Sequence, residues 1–266
     1  MKQKIERVPT YIKGLDEEIQ GGIPKGFVNL VYGTSGTMKS SVVFNIIYNE
    51  ALKGKNSFYI SIEQSYDNLS LHLSNLGLDL SKINVAMAGI NSPKLNFINK
   101  AGKKAGTIIF LDIPSIRERV MKTRKLGEAL TSMIITSTID KIKKSIGYDY
   151  FVLDALNALY AISEIKKPRE MLFDLFEFLK TRNLTSFIIQ EVTGDNESSG
   201  GVEDYLADGV LSVDTARYHR VVQREIIVKK MRATKSNINV FTFEFKDGKF
   251  RASLGGETPI IEIGKE

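Results

Sequence analysis

The chain has no cysteine, which excludes disulfides, thiolate zinc sites and cysteine nucleophiles. Histidine is nearly as scarce. His72 and His219 are the only two, too few for a histidine metal cluster and little for a Ser-His triad to draw on. They show no ligand spacing, so both are expected to be structural. No segment approaches the roughly 18 apolar residues of a membrane helix. Met1–Pro9 is charged and lacks the apolar stretch of a secretory signal. The expectation is a cytoplasmic protein without membrane contact, in which the sequons at Asn68, Asn183 and Asn196 are chance matches.

What is present is ordinary globular material: 266 residues, 42% hydrophobic and 26% charged, with a formal charge of +6. A chain of this length can bury a large core without staples. Apolar runs alternate with amphipathic stretches, the pattern of βα units and a mostly parallel sheet. Phe27–Tyr32, Ser57–Ile62, Thr107–Leu111, Tyr150–Leu153 and Ser186–Ile189 read as strands. Ser40–Lys53, Asp67–Leu76, Leu126–Ile146 and Arg169–Arg182 read as helices. After Gly209 the pattern changes to antiparallel strands at Val210–Val213, Glu225–Lys229 and Asn239–Phe245. A turn at Lys246-Asp247-Gly248 leads into Lys249–Ser253. No linker divides the chain, so one α/β domain over residues 1–266 is expected. Its central sheet is mostly parallel and flanked by helices, with antiparallel strands at the C-terminal edge.

Between the first strand and the first helix lies Gly33-Thr34-Ser35-Gly36-Thr37-Met38-Lys39-Ser40, followed by Ser41. Strand, glycine loop, Lys-Ser and helix in register form the context of a P-loop. Such a loop points backbone N–H groups and a helix N-terminus at phosphates. Lys39 would reach the β- and γ-phosphates of ATP, and Ser40 would hold Mg²⁺. Met38 stands where the pattern has its second glycine. It is expected to take ordinary helical dihedrals, so that its N–H survives.

These residues resemble a known family. Gly14-Leu15-Asp16, Gly21-Gly22-Ile23-Pro24-Lys25-Gly26 and the Gly33–Thr37 loop look like the opening of a KaiC-type domain. That family belongs to the RecA/RadA superfamily of P-loop ATPases. The likeness runs through Ile62-Glu63-Gln64, Val152-Leu153-Asp154, Gly201-Val202-Glu203-Asp204 and Lys230-Met231-Arg232-Ala233-Thr234, covering roughly residues 8 to 253. The resemblance implies a RecA-like fold, with Glu63 as the carboxylate that orients or deprotonates the attacking water. Gln64 stands where KaiC-type domains carry a second glutamate, which suits slow turnover. Asp154 would be the Walker B carboxylate that holds Mg²⁺ through water, with Asp112 as its rival, and Gln190 a polar sensor of the γ-phosphate. Lys230 and Arg232 would reach a neighbouring subunit's γ-phosphate. The implied active unit is then a homo-oligomeric ring, with a hexamer favoured.

Three functions follow. The first is an ATPase of regulatory or signalling role. The second is a RadA-paralogue type recombination or repair accessory protein, and the third a non-hydrolysing nucleotide switch or partner-binding subunit. Nucleic acid is not favoured, because Glu191–Asp208 holds six carboxylates and no Lys or Arg. Ala161–Arg169 is only modestly basic, with Lys166, Lys167 and Arg169 against Glu164. The positive charge concentrates in residues 94–125 and 217–235, net +7 and +6. One is expected to face an anionic partner and the other a neighbour's phosphate. Tyr32 and Tyr66, beside the loop, are expected in the core or at the rim.

Overall fold

The computed structural model describes residues 5–90, 92, 94–120, 132–162, 168–192 and 202–254. Residues 126–131 of the expected long helix, 121–125 of the first basic segment, Lys166, Lys167 and residues 193–201 lie outside them.

The chain opens with β1 (Arg7–Val8), β2 (Ile12–Lys13) and β3 (Ile23–Pro24), before β4 (Val28–Gly33) and α1 (Lys39–Leu52). Next come β5 (Ser57–Ser61), α2 (Tyr66–Asn75), β6 (Asn84–Ala88), β7 (Leu95–Asn99) and β8 (Thr107–Asp112). They are followed by α3 (Ile113–Val120), α4 (Ser132–Ile146), β9 (Tyr150–Asp154), α5 (Leu156–Ile162), α6 (Pro168–Thr181) and β10 (Thr185–Glu191). Then follow α7 (Val202–Leu206), β11 (Gly209–Tyr218), β12 (Val221–Met231), β13 (Val240–Lys246) and β14 (Lys249–Leu254).

Among the described residues, twelve strands form one sheet in the order β2-β14-β13-β12-β11-β4-β10-β9-β5-β8-β6-β7. The run from β11 to β6 is parallel, whereas β11 to β14 and the β6–β7 pair are antiparallel. The expected α/β architecture with its antiparallel C-terminal edge is therefore present. β8 and β9 are buried along their whole length, because helices cover both faces of the sheet. The period of two divides each strand between two cores. Tyr59, Phe110, Val152 and Ile189 pack with α1 and α2, while Phe58, Leu111, Leu153 and Ile188 pack with α4, α5 and α6. At the β13–β14 turn, Lys246 pairs with Lys249 and both Asp247 and Gly248 have positive φ. That is the two-residue type I′ hairpin expected of Asp-Gly.

The opening glycine motif is structural. Asp16 accepts hydrogen bonds from the N–H and hydroxyl of Thr10 and the N–H of Tyr11. The Arg7 guanidinium bonds the carbonyls of Gly22 and Ala233 and the Thr234 hydroxyl, tying this segment to the loop after β12.

On α1, Glu50 is only 6% exposed and accepts hydrogen bonds from the hydroxyls of Tyr11 and Tyr150. Desolvation pushes its carboxyl up. The hydrogen bonds from Tyr11 and Tyr150 and the nearby Lys53 outweigh it, so the net direction is down. A carboxylate lowered in the folded state contributes stability above its unfolded pKa of about 4.3 and loses it as pH falls through the folded value. Urea unfolding of Glu50→Gln is therefore expected to show a loss of about 1–3 kcal/mol at pH 7, shrinking towards pH 3.

Candidate functional site

The loop between β4 and α1 sits at the carboxyl end of the parallel strands, where open α/β sheets bind ligands. β4 lies between β10 and β11, yet α1 crosses two strands to reach β5, so the loop opens a crevice at the point where the chain reverses direction. A cavity of about 230 Å³ lies there. Ser35, Gly36, Thr37, Met38, Lys39, Ser40 and Ser41 form its floor, and Glu63, Gln64, His72, Asp154, Ala155, Ile189 and Glu191 its walls.

The first intrahelical bond of α1 runs from the Val42 N–H to the Met38 carbonyl. The N–H groups of Met38, Lys39, Ser40 and Ser41 precede it and have no partner within the helix, leaving them to serve an anion. Gly33 and Thr34 shape the loop from beneath. The Thr34 N–H and hydroxyl donate to Asp214 on β11 (3.2 and 2.7 Å). The Thr34 carbonyl accepts from the Thr37 hydroxyl (2.9 Å) and from Lys39 Nζ (2.5 Å). Burial lowers the pKa of Lys39, which is 8% exposed, while Glu191, Asp154, Asp214 and Glu63 oppose the shift.

Met38 departs from the sequence expectation. It takes φ +76° and ψ +23°, the left-handed conformation that favours glycine, rather than helical dihedrals. Its side chain packs against the α1–α2 core, and this contact holds the strained backbone in place. Left-handed backbone costs a residue with a Cβ about 1–2 kcal/mol. Met38→Ala keeps the strain and loses the packing, whereas Met38→Gly loses both. Thermal unfolding is expected to rank Met38→Gly above Met38→Ala by about 1 kcal/mol, because only glycine takes this left-handed backbone without strain.

The carboxylate wall is built by strand ends. Asp154 closes β9 on the α1 face, 8% exposed. It is hydrogen-bonded by the Tyr59 and Ser40 hydroxyls. Desolvation raises its pKa against those two bonds and Lys39. Glu63 follows β5 and is likewise raised by desolvation, then by Asp154 and Glu191. Asp112, the rival, closes β8 but is engaged elsewhere. It accepts from the Tyr66 N–H (2.8 Å), the Ser115 N–H (2.9 Å) and the Ser115 hydroxyl (2.7 Å), fixing the starts of α2 and α3.

Gln190 does not line the cavity. It follows Ile188 on the α4–α6 face, and Ile189 and Glu191 point at the loop instead. Glu191 is positioned by Asn157, whose amide bonds both its N–H (2.7 Å) and its carbonyl (2.8 Å). The alternation within Ser186–Ile189 carried the signal, since a wall residue must share parity with Ile189.

His72, expected to be structural, lines the cavity from α2 with Nε2 2.9 Å from the Ser41 hydroxyl. Tyr66 stacks edge-on against Phe110, and Tyr32 lies beneath Lys229. Neither tyrosine lines the cavity.

Lys230 and Arg232 stand apart from it. Val210, the partner of Lys230, pairs with Leu30 near the beginning of β4, at the other end of the strand from the loop. Lys230 Nζ caps the end of α7 on the carbonyls of Asp204 and Ala207 (3.0 and 2.7 Å). Arg232 pairs with Asp208 (2.8 Å), which also meets Lys180 (3.2 Å).

Ser40 and Asp154 place a hydroxyl and a carboxylate oxygen together, the hard donor type that Mg²⁺ takes. Among the described residues, no group of three or more His, Asp or Glu side chains could hold a metal by itself. That fits an ion held by one or two protein groups plus phosphate and water. Among the described residues, no helix is long and apolar enough to cross a membrane.

The chain resembles proteins of this construction. Residues 8–251 match the family model described as the KaiC ATPase. A UPF0273 protein of Aeropyrum pernix is 23% identical over 245 residues, covering 91% of this chain and 92% of the relative. The circadian clock protein KaiC2 of Synechocystis is 25% identical over 89% of this chain but only 38% of its own length. The crystal structure of a KaiC-like protein from Pyrococcus horikoshii superposes with a TM-score of 0.73 at 24% identity. It covers 94% of this chain and 99% of that one, a likeness of fold. With the family model spanning nearly the whole chain over a strand–loop–helix floor and a carboxylate wall, this protein belongs to the KaiC-type ATPase family.

Proposed function

We propose that the cavity binds MgATP and hydrolyses it slowly at the interface between copies of the chain, in a regulatory role. The observation that carries this reading is the set of four N–H groups at the start of α1 with no partner within the helix, with buried Lys39 among them and Glu63 and Asp154 opposite. Lys39 is one cation facing Glu63, Asp154, Asp214 and Glu191. A free triphosphate would meet net repulsion there, so binding is expected to need a divalent cation. Ser40 and Asp154 would hold that ion, which supplies charge neutralisation on the phosphate oxygens. Glu63 is the group that would accept a proton from water. Burial and its acidic neighbours shift it towards neutral pH, where a proton acceptor works best.

Lys230 and Arg232 lie at the opposite end of β4 from their own loop, so any contact they make with phosphate must be with that of a second copy. Such a contact would supply positive charge in trans, and it favours a ring-forming homo-oligomer. Gln64 lines the cavity without a charge, which suits slow turnover.

Lys39→Met tests the binding half. Desolvation makes the Lys39 ammonium unfavourable on balance in the folded chain, so the ligand-free Tm of the variant is expected not to fall. Its affinity for MgATP is expected to drop roughly 100-fold, as charge-assisted hydrogen bonds to phosphate are lost. Thermal shift against MgATP concentration reads both quantities. An unchanged nucleotide-dependent shift in Lys39→Met would overturn the proposal.

A further inference from the structure

Three further features stand out in the molecule. One is a groove of about 430 Å³ between α1 and the β13–β14 turn, where Lys13 and Lys249 face Asp16 and Glu17. Its charges balance and select no ligand. Another is the tip of the β11–β12 hairpin, with exposed Tyr218, Val221 and Val222, where nothing indicates what covers it. The third is His72, on α2 against Ser41.

Among the residues lining the cavity, the carboxylates Glu63, Asp154 and Glu191 act on one another or on Lys39. An anionic group can sit there only with a cation between. His72 is six residues beyond Tyr66, so it lies about 9 Å further along α2 from the turn that holds Glu63 and Gln64. There it meets Ser41, the last residue of α1 with a free N–H, through the 2.9 Å contact between Nε2 and the serine hydroxyl. Ser41 is 2% exposed, while the imidazole is open to the cavity.

The position of His72 is held from below. Leu69 and Leu73 on the same helix are buried against α1, and Ser65 caps the helix by accepting from the Asn68 N–H. An imidazole fixed this way loses little freedom when a ligand arrives. Its partner Ser41 can keep a hydrogen bond through its own hydroxyl when the ring turns to an anion.

We infer that His72 is a ligand-contacting residue, donating to the phosphate nearest the nucleoside, beside Ser41 and further along α2 than the turn that holds Glu63. The inference rests on the proposal that this cavity takes a nucleotide. It adds a residue from α2 to the grip and assigns it the part of the ligand that ATP and ADP share. A purely structural His72, with a side chain that only steadies the last turn of α2, would instead act through stability.

The test is calorimetric titration of wild type, His72→Ala and His72→Gln with MgATP and with MgADP, alongside the ligand-free Tm of each. His72→Ala is expected to weaken both nucleotides by the same factor, about tenfold to a hundredfold, the size of one hydrogen bond to a charged group. Its ligand-free Tm should match wild type. Glutamine keeps a donor at a similar reach and is expected to recover part of the loss. Unchanged affinities in His72→Ala would overturn the inference. So would a loss for MgATP alone, which places the ring at the terminal phosphate, or a loss that tracks a lowered ligand-free Tm. If wild type binds neither nucleotide, the reading of the cavity fails together with the inference. If wild type binds and His72→Ala binds equally well, only His72 is misassigned.

Discussion

Glu63→Gln is expected to slow phosphate release from ATP by about 10²–10⁴-fold, the usual contribution of a positioned proton acceptor. Nucleotide affinity should change little, because the amide keeps the shape of the side chain and relieves one negative charge beside the ligand. Glu63 is placed for this role by β5, which delivers it into the turn before α2 opposite Lys39. Asp154 and Ser40 are already bonded to each other, and Glu191 is fixed through its backbone by Asn157. No hydrogen bond to the Glu63 carboxylate is found among the described residues, which leaves it free to take a water proton. Its pKa is raised by desolvation and by Asp154 and Glu191. The active form is the carboxylate, so turnover is expected to fall as pH drops through that raised value. The acid limb should lie above the ordinary glutamate value of about 4.3. Steady-state phosphate release from pH 5 to 8 checks both expectations. A Glu63→Gln variant that keeps more than a tenth of wild-type turnover would remove Glu63 from the chemistry.

The second large effect is on the scaffold. A Cβ added at Gly33 would lie 1.8 Å from the Val213 carbonyl oxygen, which is backbone on the neighbouring strand β11. Nothing flexible can yield there, so Gly33→Ala must push β11 away from β4. The displacement also separates Asp214 from Thr34, the contact that shapes the loop. A cost of about 3 kcal/mol or more is expected, corresponding to a Tm lower by roughly 6–12 °C in a protein of this size. Gly36→Ala is the matched control. Its Cβ would meet nothing within 4 Å, so only the left-handed backbone at φ +76° is penalised, at about 1–2 kcal/mol. Equal melting temperatures for the two variants would contradict the close approach of β4 and β11.

How far the sequence spoke depends on where each signal resides. The loop was readable because its residue types are forced by backbone function and arrive in register with a strand and a helix. Buried strands such as Thr107–Asp112 and Tyr150–Asp154 were readable because parallel strands covered on both faces are apolar throughout. The β6–β7 pair escaped because Leu95–Asn99 is mostly exposed and carries no apolar alternation. β1 and β3 have two residues each, too short for any periodicity.

Within the site, Asp154 and Asp112 end similar strands, and only their surroundings tell them apart: Asp154 lines the cavity and is bonded by Ser40, while Asp112 is bonded by the starts of α2 and α3. Gln190 was displaced by Glu191 through strand parity, a rule available from the sequence once Ile189 is known to face α1. Met38 was harder, since its dihedrals depend on what its side chain packs against. His72 was legible only in three dimensions, because nothing in the spacing of residues 41 and 72 says that α2 lies across the start of α1. The resemblance carried Glu63 and the Lys230–Arg232 pair. Residue spacing alone would have left each as a charged strand end.

On this reading, a loop with methionine in place of glycine still holds MgATP. The most direct measurement is calorimetric titration of the wild-type chain with ATP, with and without Mg²⁺. Saturable binding of one nucleotide per chain, abolished when Mg²⁺ is withheld, is the predicted result. No saturable heat at millimolar ATP with Mg²⁺ present would mean that the loop holds no nucleotide.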